Sequence, residues 1–345
     1  MKKEYGRNID FNKYGLRPAG SYLESSRRDL EELLNSMSVA DDAAKKLLKE
    51  TSNPMLSEDA PKTKAEESPE TPNLDELLAQ LDELVGLEKV KENVRSLINL
   101  VKVRKLREEH SLPVPPVSLH LVFMGNPGTG KTTVARLIAQ LYHAIGVLSK
   151  GQLVEVDRSG LVAGFVGQTA VKTSEVIKSA LGGVLFIDEA YALTSAEGSN
   201  DFGHEAVETI LKAMEDHRDD LVVIVAGYDE LMEKFISSNP GLESRFNRYF
   251  VFEDYDGEQL YAIFQSMCRK NRYELSEDAA EYAKKLLNDL YEQRDENFGN
   301  ARDVRNLFEN IVTVHSNRVA QLAEPTKDDL TTVIKEDVEK AEEMG

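Results

Sequence analysis

Apolar residues first recur at helical spacing in Leu23, Leu30, Leu33, Leu34 and Met37, and again as Leu47 and Leu48. This pattern predicts a small helical appendage over residues 1–50, with too little apolar surface to build an independent catalytic domain. Residues 51–73 hold four of the chain's eleven prolines, no aromatic residue and no β-branched aliphatic, and read as a disordered linker. Leu74, Leu77, Leu78, Leu81 and Leu84 then form one helical stripe, interrupted at Val85-Gly86-Leu87. A second helix runs through Val94, Leu97, Ile98, Val101 and Leu106 until Pro113, Pro115 and Pro116 stop it. From residue 117 the period changes. Short apolar runs at 117–124, 152–156, 184–188, 221–226 and 249–252 predict five strands, and each of the first four is followed by a helical pattern. That alternation signals an α/β domain with a mostly parallel five-stranded sheet covered on both faces. Beyond 254 only helical periodicity remains (258–270, 277–293, 301–322), which predicts a small all-helical subdomain. The expected boundaries are 1–50, 51–73, 74–253 and 254–345.

Charge narrows the function classes. The 345 residues carry 42 Lys and Arg against 61 Asp and Glu, a formal net charge of −19. Residues 1–80 hold 12 basic and 16 acidic side chains, so the excess is not confined to a tail. Such a chain is a poor candidate for nucleic acid or an anionic membrane surface, both of which attract clustered positive charge. The single cysteine, Cys268, cannot form an intrachain disulfide, and no Cys/His spacing resembles a zinc site. The first residues are basic but lack an apolar core, and no stretch approaches about 18 apolar residues. The expectation is a cytoplasmic protein with no membrane association.

The strongest chemical signal is Gly125-Asn126-Pro127-Gly128-Thr129-Gly130-Lys131-Thr132. It fits G-x-x-x-x-G-K-[ST] between an apolar strand and a helical run. Glycines let backbone N–H groups turn inward around phosphate oxygens, and the following helix presents its positive end to the same anion. Lys131 is then expected at the β/γ-phosphates and the Thr132 hydroxyl on Mg²⁺. A lysine at a helix N-terminus is on the unfavourable end of the dipole unless an anion faces it. The second element is Val184 to Ile187 followed by Asp188 and Glu189. A strand ending in two acids is common at surface turns. After a phosphate loop, the first acid is expected to hold Mg²⁺ and the second to polarise the attacking water.

Other features keep two readings open. Arg245 and Arg248 can be solvated or paired with Glu243; the sharper alternative is an arginine finger reaching a neighbouring subunit's γ-phosphate. Arg302 opens a helical run for which Asn300 is a plausible N-cap. It can pair with Asp303, or it can sense phosphate from the helical subdomain. Phe165, flanked by Gly164 and Gly167, can tuck into the core or project from its loop. Asp157 to Gly160 spells D-x-x-G and Thr326 to Asp329 loosely imitates a guanine-reading N/T-K-x-D. The latter follows no apolar strand, so both are read as coincidence. His204 and Glu205 lack the second histidine of a zinc motif and are expected on a helix surface.

Together, GNPGTGKTTVARL (125–137), LVAGFVGQTAVKT (161–173), GGVLFIDEAYAL (182–193), VIVAGY (223–228), NPGLESRF (239–246) and FGNARDVRN (298–306) resemble the AAA+ ATPases. Within them the resemblance is to the CbxX/CfqX group, which includes red-type Rubisco activases and stage V sporulation protein K-like proteins. It covers residues 74–345. The resemblance implies a P-loop AAA+ core followed by a helical lid, with ATP and Mg²⁺ as ligands. It also implies that Gly125 to Thr133 cradle the nucleotide, with Lys131 and Thr132 as the Walker A pair, Asp188 and Glu189 as the Walker B pair, Arg245 as the trans-acting finger and Arg302 as sensor 2. Val85-Gly86-Leu87 is similar to the family's adenine-pocket segment. Phe165 falls at the pore-loop aromatic that grips a substrate chain. Where a polar sensor 1 commonly ends the fourth strand, this chain has Gly227-Tyr228.

The leading reading is an ATP-hydrolysing protein remodeller: a homo-oligomeric ring, expected as a hexamer, that pulls on a protein client. A nucleotide-gated scaffold with little turnover is the alternative. A nucleic-acid motor is disfavoured by the acidic charge.

Overall fold

The computed structural model describes residues 73–165, 167–194, 202–295 and 298–344. The expected appendage over 1–50, and all but the last residue of the expected linker, lie outside the described residues. Asn73 caps the first helix, α1 (Leu74–Asp82), by accepting the Asp75 N–H. Helix α2 (Glu88–Glu109) buries Val90, Val94, Leu97, Ile98 and Val101, but Leu106 is exposed, contrary to its place in the predicted stripe.

Five parallel strands follow: β1 (Leu121–Gly125), β2 (Leu153–Val156), β3 (Val184–Ile187), β4 (Val222–Gly227) and β5 (Tyr249–Phe252), ordered β2-β3-β4-β1-β5. The predicted α/β sheet is present. Its first strand starts later than the apolar run at 117, because the His120 imidazole Nδ1, rather than a main-chain carbonyl, accepts the Val223 N–H at 3.0 Å. Connecting helices are α3 (Lys131–Ala144), α4 (Arg158–Leu161), α5 (Thr169–Ala180), α6 (Gly203–Asp216), α7 (Asp229–Ser237) and α8 (Pro240–Arg245).

The central strands are apolar at every position because each face meets its own helix layer. Leu121, Phe123, Val184, Phe186 and Ile224 pack into one cluster with residues of α1, α2 and α3. Val122, Met124, Leu185, Ile187 and Val223 pack into a second with residues of α5, α6 and α7. Phe123 anchors the first layer, stacked on Phe250 at 5.4 Å and set edge-on to Phe186. Burying such a ring is worth roughly 1.5–3 kcal/mol.

The lid comprises α9 (Gly257–Lys270), β6 (Glu274–Leu275), α10 (Glu277–Glu292), α11 (Ala301–Val319), α12 (Lys327–Thr331), β7 (Thr332–Val333) and α13 (Lys335–Glu342). Leu260, Phe264, Leu287, Val304 and Ile311 form its own apolar core. The lid is helical as expected, except for one short strand pair where all-helical structure was expected. β6 and β7 pair in parallel, in register Glu274 with Thr332 and Leu275 with Val333. Two residues per strand are too few for a period-2 pattern to show in sequence. Among the described residues, no helix is long and apolar enough to cross a membrane.

Candidate functional site

Ligands in open α/β sheets bind beyond the carboxyl ends of the strands, at the point where strand order reverses. Here that point is β1, which continues into Gly125 and the glycine loop. Register fixes what flanks it: Met124 lies opposite Gly227 of β4, and Gly125 opposite Phe252 of β5. The loop therefore sits between Tyr228 on one side and Asp254 and Tyr255 on the other.

Lys131 is the first residue of α3, whose opening turn has no side-chain cap and no acid. Its ammonium donates to the carbonyls of Gly125 and Asn126, both at 2.8 Å. Burial pushes its pKa below the usual lysine value, opposed first by Asp188 and then by Asp229. Thr132 Oγ1 donates to Glu155 Oε1 at 3.4 Å. Gly128 has φ +73°, and a Cβ there would lie 2.0 Å from the Gly299 carbonyl oxygen at the start of the α11 segment. Only glycine admits this approach of lid backbone to loop.

Asp188 follows β3 directly, its N–H donating to Val156 O at 2.8 Å, and its Oδ1 accepts the Glu189 N–H at 3.0 Å. Glu189 adopts φ 47°, ψ 42°, a left-handed conformation that costs a non-glycine residue roughly 1 kcal/mol or more. Strain of this kind concentrates at functional positions.

A cleft of about 750 Å³ between core and lid gathers much of the predicted set. Gly125, Pro127, Gly128, Gly130, Lys131, Thr132, Thr133, Asp188, Glu189 and Arg302 all line it. Tyr228 joins them, while Gly227 has no room for a side chain: a Cβ would fall 2.7 Å from Tyr191 Cδ1. Val85 and Leu87 reach the cleft with Ile263 and Met267 of α9. Gly86 instead turns the chain at φ +61° beneath Gln259.

Other predicted residues point elsewhere. The Thr129 hydroxyl is buried on Asn126 O at 2.8 Å, and the Asn126 amide donates to Asp254. Arg245, at the end of α8, pairs with Glu215 at 3.4 Å, not with Glu243, and lines a different cleft with Ser118 and His120. Phe165 is 72% exposed, so it projects and does not tuck into the core. Its loop is held at the base, where Lys172 Nζ donates to Val162 O and Ala163 N to Thr169 Oγ1.

Asn300 stands at the N-cap position of α11, but its side chain makes no capping hydrogen bond. Asp303 accepts the Gly299 N–H at 2.7 Å, and Asn300 spends its amide on Asp254, Pro127 and Tyr255. Sequence reasoning missed Asp254 and Tyr255, whose only cue is an acid and an aromatic just past the last strand. It also missed the cations Arg136 and Lys270, which line the cleft together with Arg305.

Comparison with known proteins agrees with this geometry. Residues 121–254 match the "ATPase family associated with various cellular activities (AAA)", and residues 256–345 the "AAA lid domain". The plasmid-borne protein CbxX of Cupriavidus necator is 44% identical over 276 residues, covering 79% of this chain and 86% of the relative. The chloroplastic ribulose bisphosphate carboxylase/oxygenase activase of Cyanidioschyzon merolae is 42% identical over 273 residues, covering 78% and 92%. Among solved structures the FIGL-1 AAA domain superposes with a TM-score of 0.54 at 19% identity, covering 76% of this chain and 82% of that one, a likeness of fold. A phosphate loop at the sheet's switch point, a strand-end acid pair, a helical lid over both, and this degree of identity together make the chain an AAA ATPase of the CbxX/CfxQ group, related to red-type Rubisco activase.

Proposed function

We propose that this ATPase is a ring-forming protein remodeller, in which hydrolysis between neighbouring subunits drives Phe165-bearing loops against a protein client. The observation that carries this reading is the convergence of Lys131, Asp188, Glu189 and Arg302 on one cleft while Arg245 lies on another face. The glycine loop and the uncapped start of α3 suit a polyphosphate: backbone N–H groups and Lys131 meet its oxygens, and Arg302 meets it from the lid. Lys131 donates to the carbonyls of Gly125 and Asn126. ATP would take over part of that ammonium's hydrogen bonding.

Thr132 and Asp188 would hold Mg²⁺. Their hydroxyl and carboxylate oxygens suit a hard cation that takes one or two protein ligands and shares the substrate's phosphate oxygens. Bound there, Mg²⁺ would neutralise charge on the phosphates. Glu189 accepts the proton of the water that attacks the γ-phosphorus as the bond to the β,γ-bridging oxygen breaks and ADP leaves; its carboxylate then returns the proton to solvent. Arg245 supplies a guanidinium to the neighbouring subunit's γ-phosphate.

Glu189→Gln tests the assignment of the base. Phosphate release is expected to fall by a factor of about 10² or more, with ATP binding retained and client held on the ring. Undiminished turnover would remove Glu189 from the mechanism. Trapped complexes from the same variant would name the client.

A further inference from the structure

The phosphate loop and the start of α11 are joined by a polar cluster that phosphate binding and hydrolysis leave unexplained. Asn300 is fully buried, and its backbone sits at φ 54°, ψ −127°. Its Nδ2 donates to Asp254 Oδ1 at 2.8 Å and to Pro127 O at 3.3 Å, and its Oδ1 accepts the Tyr255 N–H at 2.9 Å. Asp254 also receives Asn126 Nδ2, at 3.0 Å on Oδ1 and 3.1 Å on Oδ2. Tyr255 closes the cluster by donating its hydroxyl to Thr129 O at 3.1 Å, and Ala301 N–H donates to Gly128 O at 3.3 Å. One buried amide thus ties the loop, the end of the core sheet and the lid. A positive φ outside the ordinary left-handed well persists only where surrounding contacts over-determine it, and a buried amide is costly unless its partners are all present. Arg302 follows Asn300 by two residues on the first turn of α11, so the same contacts set where Arg302 stands relative to Lys131.

We propose that Asn300 and Asp254 form a latch holding the lid against the phosphate loop, and are positioning residues that set ATP affinity by presenting Arg302. Neither side chain lines the cleft. Without the latch, the lid-closed arrangement is less populated before ATP arrives, and apparent affinity falls by the fraction of closed molecules. At saturating ATP the nucleotide itself bridges loop and lid, so turnover is retained. A purely structural role behaves oppositely: it lowers the amount of active protein, and so kcat, at constant KM.

The inference rests on the cleft being the ATP site, and steady-state ATPase kinetics on the full chain separate the two. Wild-type protein that binds no ATP overturns the site assignment. Given normal wild-type turnover, Asn300→Ala is expected to raise KM for ATP about tenfold, the effect of losing one or two hydrogen bonds, with kcat within about threefold. Asn300→Asp sets two carboxylates against each other and is expected to raise KM further. Adding Asp254→Asn to it restores a donor facing an acceptor and recovers most of the loss. Asp254→Ala, at a half-buried position outside the apolar core, carries the Asn300→Ala expectation should that variant not fold. A fall in kcat at unchanged KM, an unchanged KM, or an exchange that recovers nothing each overturns the latch.

Discussion

His120 illustrates how much one residue's surroundings decide. Its ring is buried against Phe246, its Nδ1 accepts a main-chain N–H, and burial, with Arg245 adding, pushes its pKa from 6.5 down to about 4. The folded protein therefore holds a neutral imidazole where the unfolded chain takes up a proton. Between pH 6.5 and about 4 the unfolded state binds more protons, so stability declines as pH falls through that window, by up to about 3 kcal/mol. His120→Asn keeps an acceptor for the Val223 N–H but cannot titrate. Urea midpoints measured across this range should fall less steeply for the variant; parallel slopes would place the acid sensitivity elsewhere. The chain's six histidines are scattered along the sequence, and no local pattern singles this one out. Gly227 is the reverse case: its place at the end of the fourth strand was legible as a departure from the family pattern. The reason, Tyr191 packed where a Cβ would stand, was not.

Among the elements, short capped helices account for both GTPase-like motifs. Asp157 accepts the Gly160 N–H at 3.0 Å to cap α4, and Thr326 with Asp329 forms a capping box that starts α12. The D-x-x-G and T-K-x-D patterns are thus helix starts. Asp329→Ala should lower the lid's midpoint in thermal or urea unfolding. The preference for ATP over GTP in a competition assay should not move; a changed preference would assign Asp329 to base recognition. Strand and helix identities in the core were legible because each run is long enough to show its period. The lid's last third was not. α12 has five residues, β6 and β7 have two each, and α13 buries only Asp337, Val338 and Ala341. Asp337 is held by Arg318 at 2.8 Å, a partnership between residues 19 positions apart that no local pattern reveals.

Across the whole molecule, the proposed mechanism divides one active site between two chains. Lys131 and Glu189 line the cleft, whereas Arg245 is paired with Glu215 on another surface, its side chain 29% exposed. A finger that serves its neighbour predicts complementation. Arg245→Ala and Glu189→Gln subunits, each inactive alone, should regain part of the ATPase rate when mixed, because some interfaces then combine an intact arginine with an intact glutamate. Phosphate release from verified mixed rings measures this, and no recovery would return Arg245 to a role within its own chain. The acidic balance takes its place at this scale too. A net charge of −19 argues against polyanion partners, yet Lys131, Arg302 and Arg305 stand together in one cleft. Local placement outweighs a total that solvent and salt screen within about 10 Å.

What the sequence determined by itself is whatever depends on neighbours a few positions apart. That covers the alternation of strands and helices, the glycine loop between strand and helix, the acid pair at a strand end, and through these the ATPase family. Their periods and spacings follow from backbone geometry, which is the same in every chain. Tertiary structure alone decided which of those residues meet. It put Asp254 and Asn300, 46 positions apart, on one hydrogen bond, and let the lid backbone press against Gly128. It also left Asn126 facing Asp254 and turned Arg245 away from the cleft. Such contacts depend on sheet order and lid docking, which set distances between residues far apart in the chain, and no local period encodes them.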